Sequence, residues 1–470
     1  MPDYLPHTDD EVAAMLAFLG LSDLDELFAA VPAALRLAGG LDLGDGEPEP
    51  DVLAHMDALA RANGAADLVC FAGAGAYDHE VPAVVRALAG RSEFVTAYTP
   101  YQPEVAQGVL QAVFEYQTMV ARLAGLPIAN ASLYDGASAL VEAVNLGVAA
   151  AGRQTVWVSA GVHPHWRACV ATFSRGSGHR IVEVPLVGGV TAWPAGSASP
   201  ARSRSSGAAG DDEAPGVLVV AYPNYLGCLE DLSAVRRLAD AHGATMVVAA
   251  DPVAAGILRP AGEWGADVVI GEGQAFGMPL SFGGPYLGLF CCSNAQVRRL
   301  PGRLVGETVD IEGRRAYVTT LRTREQDIRR ERATSNVCTN QTLMAVTAAV
   351  QLGWLGTEGL EEVALRCARG TRYLREGALR ISGVSPLTGD TPVVRELALR
   401  TAVPARTVVD RMAAEGFLAG VALADLAGED GDGSVDAEAA AHGLLVAVTE
   451  RRTAAEIDGF LVALGRAVRR

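Results

Sequence analysis

Six runs in the middle of the chain carry few polar residues: TVWVSA (155–160), RIVEVPL (180–186), GVLVVAYP (216–223), ATMVVAAD (244–251), ADVVIGE (266–272) and LGLFCC (287–292). A strand with one wetted face alternates apolar and polar side chains. These runs do not, so both faces of the sheet they form must be covered. The segments between them supply the cover. In LEDLSAVRRLADAHG (229–243), Leu229, Leu232, Val235 and Leu238 recur at three-residue spacing and Gly243 offers a stop. Strand, helix, strand at this rhythm predicts an α/β fold on a mostly parallel sheet with helices on both faces.

The flanks differ from this middle. Thr8-Asp9-Asp10-Glu11 has the capping-box pattern and introduces the helix EVAAMLAFLG, and SDLDELFAAVPAALRL is expected to begin another. Residues 1–65 therefore read as a helical N-terminal arm. After about residue 345, helical patterns (NQTLMAVTAAVQLGWLG, EEVALRCARGTRYLREGAL) precede shorter strand candidates, as in a small α+β domain. The expected boundaries are an arm at 1–65, a large domain at 66–344 and a small domain at 345–470. Inside the large domain, WPAGSASPARSRSSGAAGDDEAPG (193–216) is poor in large apolar residues and reads as a mobile surface loop.

The net charge is −17 over 470 residues, which opposes nucleic acid or an anionic membrane as partner, because both need basic patches. The seven cysteines form no CxxC pair, so reduced core thiols are expected, with neither a disulfide framework nor a zinc site. No apolar run approaches the roughly 20 residues that span a bilayer. The start, MPDYLPHTDDE, has no basic region and no apolar signal core, so a cytoplasmic location is expected. All 38 Lys-plus-Arg residues are arginine; the chain has no lysine.

That absence matters at one place. Asp251 closes an apolar run, where a carboxylate faces the crevice in which α/β folds bind ligands. In vitamin B6 enzymes such an aspartate pairs with the pyridine nitrogen. About twenty residues on, where those enzymes carry their Schiff-base lysine, stands GEGQAFGMPLSFGGP (271–285). It offers Glu272, Gln274 and Ser281, with Gln274 at the lysine's place, or Ala275 if the register slips by one. An amide is not a nucleophilic amine, so the cofactor cannot be attached covalently here.

Other stretches leave alternatives open. Ser138, in the helix start DGAS (135–138), lies where free backbone N–H groups could hold a phosphate or carboxylate, unless this is an ordinary cap. His163 and His165 flank a proline and could stack on a ring; a metal is not expected without cysteine or carboxylate nearby. FAGAG (71–75) lacks the third glycine of a dinucleotide loop and reads as a turn into a helix starting at AYDH. Tyr98, Thr99, Tyr101, Gln102 and Glu104 crowd around two prolines, either as a turn capping the helix from Glu104 or as a loop inserted into an active site. Arg322, Arg324, Arg329, Arg330 and Arg332 read as a solvated helix face, a subunit contact or a carboxylate site.

FAGAGAYDHEVPAVV, RSEFVTAYTPYQPEVAQGVLQAVFEYQTM, NASLYDGASAL, GEGQAFGMPLSFGGPYLG and TREQDIRRERATSNVCTNQ together resemble one family: subunit 1, the alpha subunit, of the split glycine decarboxylase P-protein of the glycine cleavage system. The likeness runs from about residue 4 to the C-terminus and is weakest at 193–216. It implies an aspartate aminotransferase-like (fold type I) large domain, and no cofactor on this chain. It also implies a partner, subunit 2, that holds pyridoxal phosphate on a lysine. The pair would decarboxylate glycine and pass the aminomethyl group to the lipoyl arm of the H-protein. Asp251, Gln274, His163 and Ser138 would then line a vestigial pocket. Tyr98, Tyr101, Gln102 and Glu104 would reach the partner's active site. Rival readings are a purely structural or docking subunit, a paralogue serving another amino-acid decarboxylation, and a free-standing vitamin B6 enzyme, which the missing lysine opposes.

Overall fold

Five of the apolar runs form parallel neighbours in a seven-stranded sheet. In chain order its strands are β1 (Ile128–Ala129), β2 (Thr155–Ser159), β3 (Arg180–Val184), β4 (Val217–Tyr222), β5 (Thr245–Ala250), β6 (Val268–Glu272) and β7 (Gly288–Cys292), arranged β1-β7-β6-β5-β4-β2-β3. Only β7 runs antiparallel to its neighbours, pairing Cys291 with Val269 on one side and with Ala129 on the other. The computed structural model describes residues 6–37, 41–97, 99–194, 214–321, 326–333 and 335–469. Most of the 193–216 segment, expected to be a mobile loop, lies outside the described residues, as does Tyr98.

Both sheet faces are buried, as the unbroken apolar runs require. Along β4, Leu218 and Val220 enter one core with Met246, Val248, Tyr116, Val235 and Ala345, while Val217 and Val219 enter a second with Val247, Leu140, Val144 and Phe290. The period-two alternation is intact; it separates two cores rather than core from water. The helix Gly136–Ala151 covers the second face, and Gln107–Ala124 with the start of Thr342–Ala378 covers the first. Asp231 caps Leu232–His242 through the Ala234 N–H, and Gly243 ends that helix at φ 57°.

The C-terminal region builds a four-stranded antiparallel sheet from Val384–Pro386, Glu396–Thr401, Gly443–Ala447 and Val421–Ala422. The helices Ala405–Ala413 and Ala454–Ala467 pack on it around Phe460, Leu399, Val446 and Met412. Phe71 joins this core, and Val69–Cys70 pairs in parallel with Phe417–Leu418. Helix Thr342–Ala378 is interrupted at Gly356 (φ 61°, ψ −171°), a conformation that excludes other residues.

The chain divides into two compact units, residues 1–66 and 67–470. In the first, the Thr8–Glu11 capping box forms and starts the helix Asp9–Leu19. The helix expected over SDLDELFAAVPAALRL is instead two short 3-10 turns, Leu24–Phe28 and Ala33–Leu35, because Pro32 cannot donate to the turn before it. Near residue 77 a second expectation fails. AYDH has no regular structure, with the His79 N–H turned onto the Tyr77 carbonyl at 3.0 Å, and the helix begins only at Ala83, after Pro82. Among the described residues, no helix is long and apolar enough to cross a membrane.

Candidate functional site

The ends of β4, β5 and β6 and the start of Glu396–Thr401 enclose a cavity of about 100 Å³. His163, Asp251 and Gln274 all line it, so three widely separated sequence candidates do meet. Two residues that sequence reasoning missed, Arg395 and Tyr77, line it with them. Arg395 pairs with Asp251 at 2.7 Å, and its guanidinium carbon lies 3.4 Å from the centroid of the Tyr77 ring. A planar cation, stacked on an aromatic face, is therefore paired to the aspartate that the sequence singles out. Burial opposes the Arg395 charge, but Asp251, Tyr77, Cys367 and Glu396 together outweigh it and hold its pKa above the ordinary arginine value.

Gln274 is almost fully buried and its side-chain amide makes three hydrogen bonds. Its Oε1 accepts from the Tyr77 N–H at 3.0 Å, and its Nε2 donates to the carbonyls of Tyr77 at 3.0 Å and Met278 at 2.7 Å. The amide thus clamps the 71–79 segment against the glycine-rich loop. Tyr77 in turn donates its hydroxyl to Glu396 at 2.6 Å, and the Ala74 N–H donates to the other oxygen of that carboxylate. This explains the FAGAG glycines: a Cβ on Gly73 would lie 2.5 Å from Glu396 Oε1. Burial pushes the Glu396 carboxyl up to about 7. His163 accepts from the His165 N–H and faces the Ala74 carbonyl at 2.9 Å; burial lowers its pKa to about 4, so the ring is neutral.

The helix start at Asp135–Ser138 is a cap, not an open anion cradle. Asp135 accepts from the Ser138 N–H at 2.7 Å, and Glu272 accepts from the Gly136 N–H at 2.9 Å. The Trp166 ring closes over Gly136, where a Cβ would come within 2.3 Å of it. Burial raises Glu272 to about 7 despite further N–H donors from Leu287 and Gln274. A pyridoxal phosphate would find an arginine on its ring partner, carboxylates at its phosphate position and an amide at its attachment point. The residues present do not fit that group.

One trio of possible metal donors stands beside the cavity among the described residues: His79, Cys367 and Glu450, with ligand atoms within 4.8 Å of one another. His79 spends one ring nitrogen on Glu450 and the other faces Arg395, each at 2.6 Å. Burial alone would raise Glu450; His79 and the Glu80 N–H outweigh it and bring the pKa down to about 2. The trio is the far end of the Arg395 network.

Tyr101 lies elsewhere. Arg303, almost fully buried, donates from Nη2 to the Tyr101 hydroxyl oxygen and to the Cys338 carbonyl at 2.5 Å, and sits 5.2 Å from the Tyr101 ring centroid. Gln102 and Glu104 are exposed beside it, and Val105 is 82% exposed. The expected helix start at Glu104 is a 3-10 turn, Pro103–Val105, before the helix proper at Gln107. Of the arginine-rich stretch, Arg322 and Arg324 lie outside the described residues, and Arg332 forms an exposed 3.7 Å pair with Glu331.

The sequence matches the family model for the glycine cleavage system P-protein over residues 2–399. The chain belongs to that family. A relative in Desulforamulus reducens, described as a probable glycine dehydrogenase (decarboxylating) subunit 1, is 43% identical over 98% of this chain and 99% of its own length. Another so described, in Prosthecochloris aestuarii, is 44% identical over 98% and 99%. A crystal structure of glycine decarboxylase (P-protein) of the glycine cleavage system, in inhibitor-bound form, superposes with a TM-score of 0.86 at 42% identity, over 99% of this chain and 100% of that one. A NifS-like protein shares the fold alone, at TM-score 0.56 and 13% identity over 85% of this chain and 98% of its own. The fold is that of the fold type I pyridoxal-phosphate-dependent enzymes.

Proposed function

We propose that this chain is the subunit of a two-part glycine decarboxylase that holds no cofactor, and that it completes the active site of a partner. Its relatives' description as a subunit 1 implies a partner subunit; in this reading that partner is subunit 2 and carries pyridoxal phosphate on a lysine. The cofactor there supplies the electron sink for glycine decarboxylation, and the aminomethyl group passes to the lipoyl arm of the H-protein. The observation that carries this reading is Arg395, seated on Tyr77 against Asp251, with Gln274 at the lysine's place.

This chain's contribution is a wall. Tyr98, Tyr101 and Gln102 are hydrogen-bond donors to the partner's substrate or cofactor, and Glu104 sits at the edge of the same loop. Exposed apolar side chains that suit a subunit contact lie at Val105, Phe282 and Ile311. The location is cytoplasmic.

The test uses the chain alone and with subunit 2. Mixed with pyridoxal phosphate and glycine, the chain alone should release no carbon dioxide and show no absorbance band near 420 nm. The assembled pair with lipoylated H-protein should turn over glycine. Carbon dioxide release by the chain alone would overturn the reading.

A further inference from the structure

Three of the sequence motifs converge on Arg303. Tyr101 comes from AYTPYQPE, Asn130 to Tyr134 from NASLYDG, and Cys338 to Gln341 from TSNVCTNQ. The Ala131 N–H donates to the Arg303 carbonyl at 2.8 Å, and Asn130 donates to the Pro301 carbonyl at 3.1 Å. Asn340 and the Gln341 N–H both donate to the Ser132 hydroxyl, at 3.0 and 3.1 Å. The Cys338 N–H donates to the Tyr134 hydroxyl at 3.3 Å.

At the centre of this weave, Ser132 is fully buried with φ at 116°. A non-glycine residue there costs energy and persists only where its surroundings enforce it. The strained residue is far in sequence from Asp251 and Gln274 but adjoins the segment that holds Arg303.

We infer that Arg303 is the positioning residue for Tyr101 in glycine decarboxylation. Its guanidinium, anchored on the Cys338 carbonyl, holds the phenol oxygen from behind and fixes the ring's direction. A cation on that oxygen also strengthens the hydrogen bond made by the phenol's own proton. The acceptor is an anionic oxygen in the partner's site, either the glycine carboxylate or the cofactor phosphate. This inference rests on the proposed function, because it needs Tyr101 at that site.

The experiment uses the assembled subunits with lipoylated H-protein and follows glycine-dependent carbon dioxide exchange. Tyr101→Phe and Arg303→Gln should each lower kcat/KM by about tenfold to hundredfold, the range of one hydrogen bond to a charged group. The double variant should lose no more than either single one. Arg303→Lys keeps the cation, should assemble with the partner on gel filtration, and should recover part of the rate; it carries the test if Arg303→Gln fails to assemble. A raised KM for glycine with the cofactor retained assigns the carboxylate as acceptor. Loss of cofactor from the partner on gel filtration assigns the phosphate.

A loss of kcat/KM from Arg303→Gln by the same factor in the Tyr101→Phe background as in the natural chain, so that the two losses multiply, would mean that Arg303 only braces the Cys338 segment, and would overturn the inference. So would full activity of Arg303→Gln beside an impaired Tyr101→Phe, which leaves the proposed function standing. Full activity of Tyr101→Phe overturns this inference and the Tyr101 part of that reading together.

Discussion

Arg395 and Arg303 are both nearly buried and both stand against a tyrosine, but they face opposite tasks. Arg395 points inward. It stacks on Tyr77, pairs with Asp251 and contacts His79, and every group around it belongs to the same closed network. Arg303 stands behind a tyrosine whose loop runs on into the exposed Gln102, Glu104 and Val105. One arginine fills a site and the other supports an edge. On the proposed function, a binding pocket is closed from within by a side chain of the right shape and charge, and activity depends on a different constellation in the same chain.

The largest expected break in this contrast is Arg395→Ala. It leaves the partly buried Asp251 carboxylate without its cation and with the Val253 N–H as a remaining donor, which should cost about 3 kcal/mol of stability, at the low end for a broken buried pair. Thermal unfolding of the single variant and of Arg395→Ala with Asp251→Asn should show the double variant as the more stable of the two. Millimolar guanidinium ion should restore part of the melting temperature of Arg395→Ala only where Asp251 is kept.

Glu396 sharpens the contrast through pH. Its carboxyl, ordinarily near 4.5, is raised to about 7 in the fold, chiefly by burial. Between those values the folded chain keeps a proton that the unfolded chain has released. The stabilisation is therefore complete below pH 4.5 and is lost as pH rises to about 7, an effect on the order of 3 kcal/mol. Glu396→Gln should flatten that part of the stability profile measured by urea unfolding.

Gly136→Ala should come next, at about 1–3 kcal/mol, because the added methyl meets Trp166 with no room to spare. The chain's tryptophan fluorescence should report the displacement. Smallest in stability is Tyr101→Phe. It should change the unfolding free energy by no more than about 1 kcal/mol, while activity of the assembled enzyme falls as described above.

The sheet was legible because strands buried on both faces leave an unmistakable composition, and TVWVS and VLVVAY form strands almost to the residue. Asp251, Gln274 and His163 were legible for a different reason: each follows a strand at the sheet edge where ligands bind, and the structure brings them together. Arg395 and Glu396 were not. Their one signal was a charged pair opening an otherwise apolar strand, ELALRT, and such a pair reads as surface until the two sheets are set against each other. Arg303, in PGRLVG, gave no signal at all; its role comes from three distant segments folding around it. AYDH was misread as a helix start because its non-helical backbone is held at Tyr77 by Gln274, almost two hundred residues away in sequence.

The Gln274 clamp also decides how this pocket can change. Its amide gives and takes at once, whereas an ammonium can only give. Gln274→Lys would strand the Tyr77 N–H and introduce a second cation into the cavity that Arg395 lines. A lysine-bearing pocket is therefore out of reach by any single exchange; Arg395 has to go first, at the cost of the fold's own stability, and the chain is held to its present division of labour as by a ratchet.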